Sequence, residues 1–176
     1  TGVQTCALPI YIFSTLSSRR TGTRGCEGRD EDTEMIIQEY AYAKLNLTLD
    51  VLGRREDGYH NMMMVMQTVS VQDEITLMKT GEPGIRTSCN LGYIPTDGRN
   101  LAAKAAAVFL GQTGEEQDGI EISLKKDIPV GAGMAGGSAD AAAVLRGMNR
   151  LYGEPMSRTE LENLAKQVGS DVAFCV

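Results

Sequence analysis

The chain is poor in residues that carry readily recognised chemistry. It has a single histidine, His60, and four scattered cysteines, Cys6, Cys26, Cys89 and Cys175. There is no CxxC pair and no Cys/His cluster. That pattern argues against a zinc site and a disulfide framework, and makes a reducing, cytoplasmic setting the expectation. No run of about eighteen apolar residues occurs, so nothing is expected to span a membrane. Basic residues are not in excess, and the net charge is −6. A nucleic-acid surface needs the opposite balance. A bound nucleotide is not excluded, because backbone N–H groups can cradle phosphate whatever the global charge. No internal repeat is found. What is present is ordinary for one domain with a real core: 176 residues, 42% apolar and 23% charged.

Residues 1–34 show no sustained period of 2 or 3.6. A signal peptide would need a basic segment before its apolar stretch, and here the charges follow it. TGVQTCALPI resembles translated sequencing-adapter sequence. The segment therefore reads as a non-native leader or assembly scar, with Met35 as the expected start. The other end, SDVAFCV, is apolar and reads as a chain cut inside an element. The expected organisation is one domain over 35–176.

Within that domain AKLNLTLDV alternates. Leu45, Leu47, Leu49 and Val51 share one face, and Lys44, Asn46, Thr48 and Asp50 share the other. This predicts a half-buried strand over 43–51. A loop follows, marked by Asp57-Gly58. Strands are predicted over 63–71, 74–78, 84–89 and 120–124. Helices are predicted over 100–110, closed by Gly111, over 138–152, and over 157–168, with Ser157 and Glu160 forming a capping box. Strands come early and helices late, which favours an α+β class. The cluster Met62, Met63, Met64 and Met66 reads as core filler.

The densest chemical signal is IPVGAGMAGGSADAAAVL, residues 128–145. Gly131, Gly133 and Gly136 match GxGxxG. A dinucleotide fold would also need a following strand that ends in an acidic residue, and a turn and helix stand there instead. A Walker A loop is excluded because no lysine precedes Ser138, and the strand that follows a protein-kinase glycine loop is absent. What is left is a strand, Pro129, a glycine loop and a helix start near Ser138. A helix N-terminus offers free N–H donors and partial positive charge, and glycines let those donors approach an anion. A phosphate cradle is one reading. A loop that only packs tightly is the other.

PVGAGMAGGSADAAA resembles the phosphate-loop motif of the GHMP small-molecule kinases. AKLNLTLDVLGRREDGYHNMMMVMQTV and GSDVAFCV resemble two further segments of that family, in the branch acting on a CDP-linked methylerythritol in non-mevalonate isoprenoid synthesis. The resemblance covers residues 40–176. It implies a two-lobed α+β enzyme, with this chain as the N-terminal lobe and the C-terminal lobe missing as a partner. It further implies ATP and Mg²⁺ as cofactors and a small-molecule, CDP-linked substrate. Other members acting on homoserine or mevalonate, and a catalytically silent nucleotide-binding module, are the alternatives.

By position, the resemblance makes Asp171 the catalytic base and Lys44 the cation near the reacting hydroxyl. Asn46, Tyr59 and His60 become substrate contacts. Pro129, Val130, Gly131, Ala132, Gly133, Met134, Ala135, Gly136, Gly137, Ser138 and Ala139 become the ATP loop. Lys126 and Asn100 are weaker candidates for adenosine, and Ser138 and Asp140 for metal. Chemistry supports the two main roles: a carboxylate can take the hydroxyl proton while a cation beside it stabilises the developing alkoxide. The plainer readings are a strand lysine facing solvent and an aspartate serving as a helix cap. Two departures stand out: the family often has proline where Ala173 stands, and a second serine where Ala139 stands.

Overall fold

The computed structural model describes residues 35–54 and 60–176. These described residues divide into two compact units, 47–54 with 60–67, and 35–46 with 68–176. The strands are β1 (Ile36–Arg54), β2 (His60–Thr80), β3 (Gly84–Cys89) and β4 (Gly119–Lys125). The helices are α1 (Leu101–Thr113), α2 (Gly136–Leu151), α3 (Arg158–Val168) and α4 (Val172–Cys175). The four strands form one sheet in the order β1-β2-β4-β3.

In the larger unit, β2 and β4 pair antiparallel, with Ile75 opposite Leu124 and Leu77 opposite Ile122. β3 and β4 pair parallel, with Ile85 opposite Ile120 and Thr87 opposite Ile122. Parallel neighbours need a crossover, and α1 lies in the connection between β3 and β4. β4 behaves as its alternation predicts: Ile120, Ile122 and Leu124 are buried while Glu121, Ser123 and Lys125 are exposed. The helices cover one face of this sheet. α2 is the central one, with Ala141, Ala142, Ala143, Val144 and Leu145 all fully buried. Its small residues face the alanine-rich α1, so the two backbones approach closely. Phe109, Ile75, Ile122, Leu145 and Met148 fill the space between helices and sheet. Among the described residues no helix is long and apolar enough to cross a membrane.

Several expected boundaries move. The two strands predicted over 63–71 and 74–78 are one continuous β2. Asp73, which reads as a break in the alternation, is wholly buried within it. α1 runs through Gly111 and is closed instead by Gly114, which adopts φ 78° and donates its N–H to the Leu110 carbonyl. α2 begins at Gly136 rather than Ser138. The capping box on α3 forms as predicted.

The smaller unit, described over 47–54 and 60–67, consists of the far portions of β1 and β2. Leu47, Leu49, Val51 and Leu52 are exposed there, as are Met62, Met63 and Val65. The methionine cluster is thus not core filler: Met64 and Met66 are only half-buried and none of the four is buried. Asp57, Gly58 and Tyr59 lie outside the described residues.

Candidate active site

The glycine loop lies between β4 and α2 and borders a cleft of ≈ 350 Å³. Ile94, Pro95 and Asn100 face it from the segment leading into α1. Gly131 and Gly133 take φ values of 75° and 74°, a left-handed backbone that side chains with a Cβ rarely adopt. Ala135 adopts φ 57° and starts α2 with no side-chain cap. The first helical bond is donated by Ala139 to the Ala135 carbonyl at 2.8 Å. The N–H groups of Gly136, Gly137 and Ser138 therefore precede any helical acceptor, and they lie at the cleft. Free N–H donors at the positive end of a sixteen-residue helix suit an anion. Asn100 serves α1 locally, its Oδ1 accepting from Ala102 N–H at 2.9 Å as the N-cap. Ala139 is buried, its methyl in the core.

Lys44 and Asp171, 127 positions apart in the chain, are brought together. Lys44 Nζ lies 3.3 Å from Asp171 Oδ2 and donates to Asn46 Oδ1 at 3.0 Å. Lys44 is only 4% exposed, so it is not a solvent-facing strand lysine. A buried ammonium needs such partners. Asp171 keeps 44% of its side chain open to solvent and makes no side-chain cap bond to α4. It stands at the N-cap position of α4, but its side chain does not cap the helix and its carboxylate is accessible. The backbone N–H of Lys44 donates to the Met134 carbonyl at 3.1 Å. One strand residue thus ties the Lys–Asp pair to the glycine loop. β1 is held in turn by α2: Arg146 reaches the Tyr40 carbonyl at 2.9 Å and Arg150 the Gln38 carbonyl at 3.0 Å, both pairing with Glu39.

Beneath the loop lies a cluster that sequence reasoning missed. Lys126 is paired with Asp73 and, at 2.6 Å, with Asp140. All three are buried. Burial pushes the Asp140 carboxyl up to about 7, against the opposing pull of Lys126. Burial also acts against the Lys126 ammonium, but the two carboxylates outweigh it and raise its pKa. Lys126 lines the cleft, yet its ammonium is engaged by carboxylates. Asp140 lies past the first turn of α2, and one of its oxygens, Oδ1, is buried without a partner. The signal for Asp73 is a charged residue inside a strand pattern, which by itself does not name a partner.

The remaining expected contacts are spread out. Asn46 is exposed and bonded to Lys44. His60 is exposed at the start of β2, in the smaller unit. Tyr59 lies outside the described residues. Among the described residues no group of three His, Cys, Asp or Glu could hold a metal. Cys89 and Cys175 are free, and burial raises the Cys175 thiol to about 11, which makes it a poor nucleophile.

Residues 100–176 match the GHMP kinases N-terminal domain. The chain is 49% identical over 136 residues to the 4-diphosphocytidyl-2-C-methyl-D-erythritol kinase of Clostridium beijerinckii, an alignment spanning 77% of this chain and 48% of that protein. It is 48% identical over 142 residues to the enzyme of the same name from Caldicellulosiruptor saccharolyticus, covering 81% and 48% of the two chains. A crystal structure of 4-(cytidine 5'-diphospho)-2C-methyl-D-erythritol kinase superposes with a TM-score of 0.66 at 37% identity, over 79% of this chain and 48% of that one. Homoserine kinase from Cytophaga hutchinsonii shares the fold, with a TM-score of 0.62 at 20% identity over 85% and 45%. The chain belongs to the GHMP kinase family, whose N-terminal domain it carries. It spans about half the length of the curated relatives it matches.

Proposed function

We propose that this chain is the nucleotide-binding half of a small-molecule kinase. The reaction is transfer of a phosphoryl group from ATP to a hydroxyl of 4-diphosphocytidyl-2-C-methyl-D-erythritol, in non-mevalonate isoprenoid synthesis. The observation that carries this reading is the Lys44–Asp171 pair at 3.3 Å, with the Lys44 backbone bonded to the glycine loop. A phosphate cradle alone marks a nucleotide site. A cation and an accessible carboxylate fastened to it mark a place where a hydroxyl is activated.

Phosphoryl transfer asks the protein for positioning and charge stabilisation more than for covalent chemistry. Asp171 accepts the hydroxyl proton, and its exposure leaves it open to an incoming substrate. Lys44 stabilises the alkoxide as it forms. Asn46 orients the ammonium. The amides at the start of α2 and in the Pro129–Ala135 loop hold the phosphates, while Asn100 caps α1 and Lys126 braces the loop from below rather than reaching adenosine. Asn46, Tyr59 and His60 are the proposed contacts to the CDP-linked substrate.

The residues fit ATP better than they fit a protein-held Mg²⁺. Ser138 faces the cleft and could join phosphate oxygens in holding the ion, which usually keeps most of its ligands from phosphate and water. Asp140 does not fit: its Oδ2 already faces the Lys126 ammonium at 2.6 Å, and a second cation there would meet like charge.

The test joins this chain to the C-terminal half of the Clostridium beijerinckii relative and measures transfer of labelled phosphate from ATP. Transfer to the CDP-linked substrate, and not to homoserine or mevalonate, is expected. Asp171→Asn lowers turnover at least roughly a hundredfold while ATP still binds. An unchanged rate in that variant removes the base assignment. Transfer to homoserine or mevalonate instead removes the substrate.

A further inference from the structure

A glycine loop has little stiffness of its own, because glycine gains the most freedom when it is not held. Residues 129–135 must nevertheless present their amides at fixed positions. The structure shows what lies beneath them. Asp73, 0% exposed on β2, has both carboxylate oxygens engaged. Its Oδ1 takes the N–H of Asp127 at 2.6 Å and of Ile128 at 2.8 Å. Its Oδ2 takes the Lys126 ammonium. Asn90 clasps the Lys126 backbone, accepting its N–H at 2.8 Å and donating to its carbonyl at 3.3 Å. The same ammonium reaches across to Asp140 on α2.

Both stems of the loop are therefore tied into one buried cluster. Residues 126–128, the incoming stem, bond to Asp73 directly. The outgoing stem, the start of α2, is held through Lys126. The stems also touch: a Cβ added at Gly136 would lie 3.1 Å from Ile128 Cγ2 and 3.3 Å from Lys126 Nζ. A buried ion cluster is a poor source of stability compared with apolar packing, and its better-attested use is to fix one geometry.

We propose that Asp73 is a positioning residue for phosphate binding. Through Lys126 and the amides of Asp127 and Ile128 it holds the two stems at the separation where the loop amides and the start of α2 converge. This rests on the nucleotide-binding reading above.

The experiment compares the 176-residue chain with its Asp73→Asn variant. Calorimetric titrations use ATP and, separately, adenosine, which carries no phosphate. Hydrogen exchange is followed in peptides covering 126–138 and α1, well below the melting temperature of each protein. In the variant, ATP affinity falls roughly tenfold or more through lost preorganisation, while adenosine affinity holds within about twofold. Exchange rises in 126–138 and not in α1. ATP affinity within about twofold of wild type, or an equal loss for adenosine, overturns the proposal. So does unchanged exchange in 126–138, which reads the positioning claim even if the wild-type chain binds no ATP. Absence of ATP binding by the wild-type chain would count against the nucleotide reading and not against the positioning claim. If Asp73→Asn does not fold, Asn90→Ala, which leaves every charge in place, must show the same split between ATP and adenosine.

Discussion

Replacing Lys126 by methionine isolates the energetics of the buried cluster. The side chains are of similar length, so packing is largely kept while the ammonium is lost. Asp73 and Asp140, at 0% and 3% exposure, then face each other with no cation between them. Breaking a buried ion pair by removing one partner costs about 3–5 kcal/mol, because a charge is left buried and uncompensated. For a protein of this length each kcal/mol lowers the melting temperature by about 2–4 °C, so a drop of about 6–20 °C is expected at pH 8. At pH 5 the drop is smaller. Burial already holds Asp140 at about 7 with Lys126 present, and without that ammonium the carboxyl rises further, so at pH 5 Asp140 is neutral and adds no buried charge. A triple variant, Lys126→Met with Asp73→Asn and Asp140→Asn, carries no charge in the cluster and recovers most of the loss. Thermal melts by circular dichroism at both pH values measure all of this. A drop under about 2 °C at pH 8, or a triple variant no more stable than the single one, would refute the account of Lys126 as the cluster's necessary cation.

The wild-type chain carries its own pH signature. A carboxyl raised from 3.8 to about 7 binds its proton more tightly when folded, so Asp140 makes stability fall as pH rises across that interval; melts from pH 4 to pH 7 should show the decline, and Asp140→Asn should flatten it. Gly133→Val forces a branched residue into φ 74°; the cost is about 1–3 kcal/mol, and titration should show ATP affinity lost with it. Ser157→Ala removes the α3 capping box, far from the cleft in the chain; stability should fall by about 1 kcal/mol with ATP affinity unchanged, and a change in affinity would show that α3 matters to the site.

How far the sequence is readable depends on which force sets each feature. β4 and α3 are legible because each obeys one local rule, alternation in Ile120–Leu124 and a capping box at Ser157. The end of α1 is misread because Gly111 and Gly114 are equally good stops by residue type, and only the bond from Gly114 to the Leu110 carbonyl selects one. The start of α2 is misread because Ala135 takes a left-handed conformation that its side chain does not announce. The nearness of Lys44 to Asp171 is expected from the family resemblance, whereas periodicity only puts Lys44 on the polar face of its strand. Asp73 was missed for a deeper reason. Hydrophobic pattern reports which positions avoid water, and a buried charge breaks that pattern without saying where its partner is. Its partner stands fifty-three positions away.

The bond from Lys44 N–H to the Met134 carbonyl has a mechanical consequence. Met134 is followed by Ala135, whose left-handed backbone turns the loop into α2. A shift of the loop therefore displaces β1 at the residue whose side chain pairs with Asp171. The proposed phosphate loop and the proposed hydroxyl-activating pair are thus joined by one backbone hydrogen bond. A change that loosens the loop stems at Asp73 or Lys126 would then lower turnover by more than the loss of nucleotide affinity accounts for. In the joined enzyme Asp73→Asn should reduce turnover even at saturating ATP, where a defect in binding alone would be hidden. Full turnover at saturation would show that the loop and the Lys44–Asp171 pair move independently.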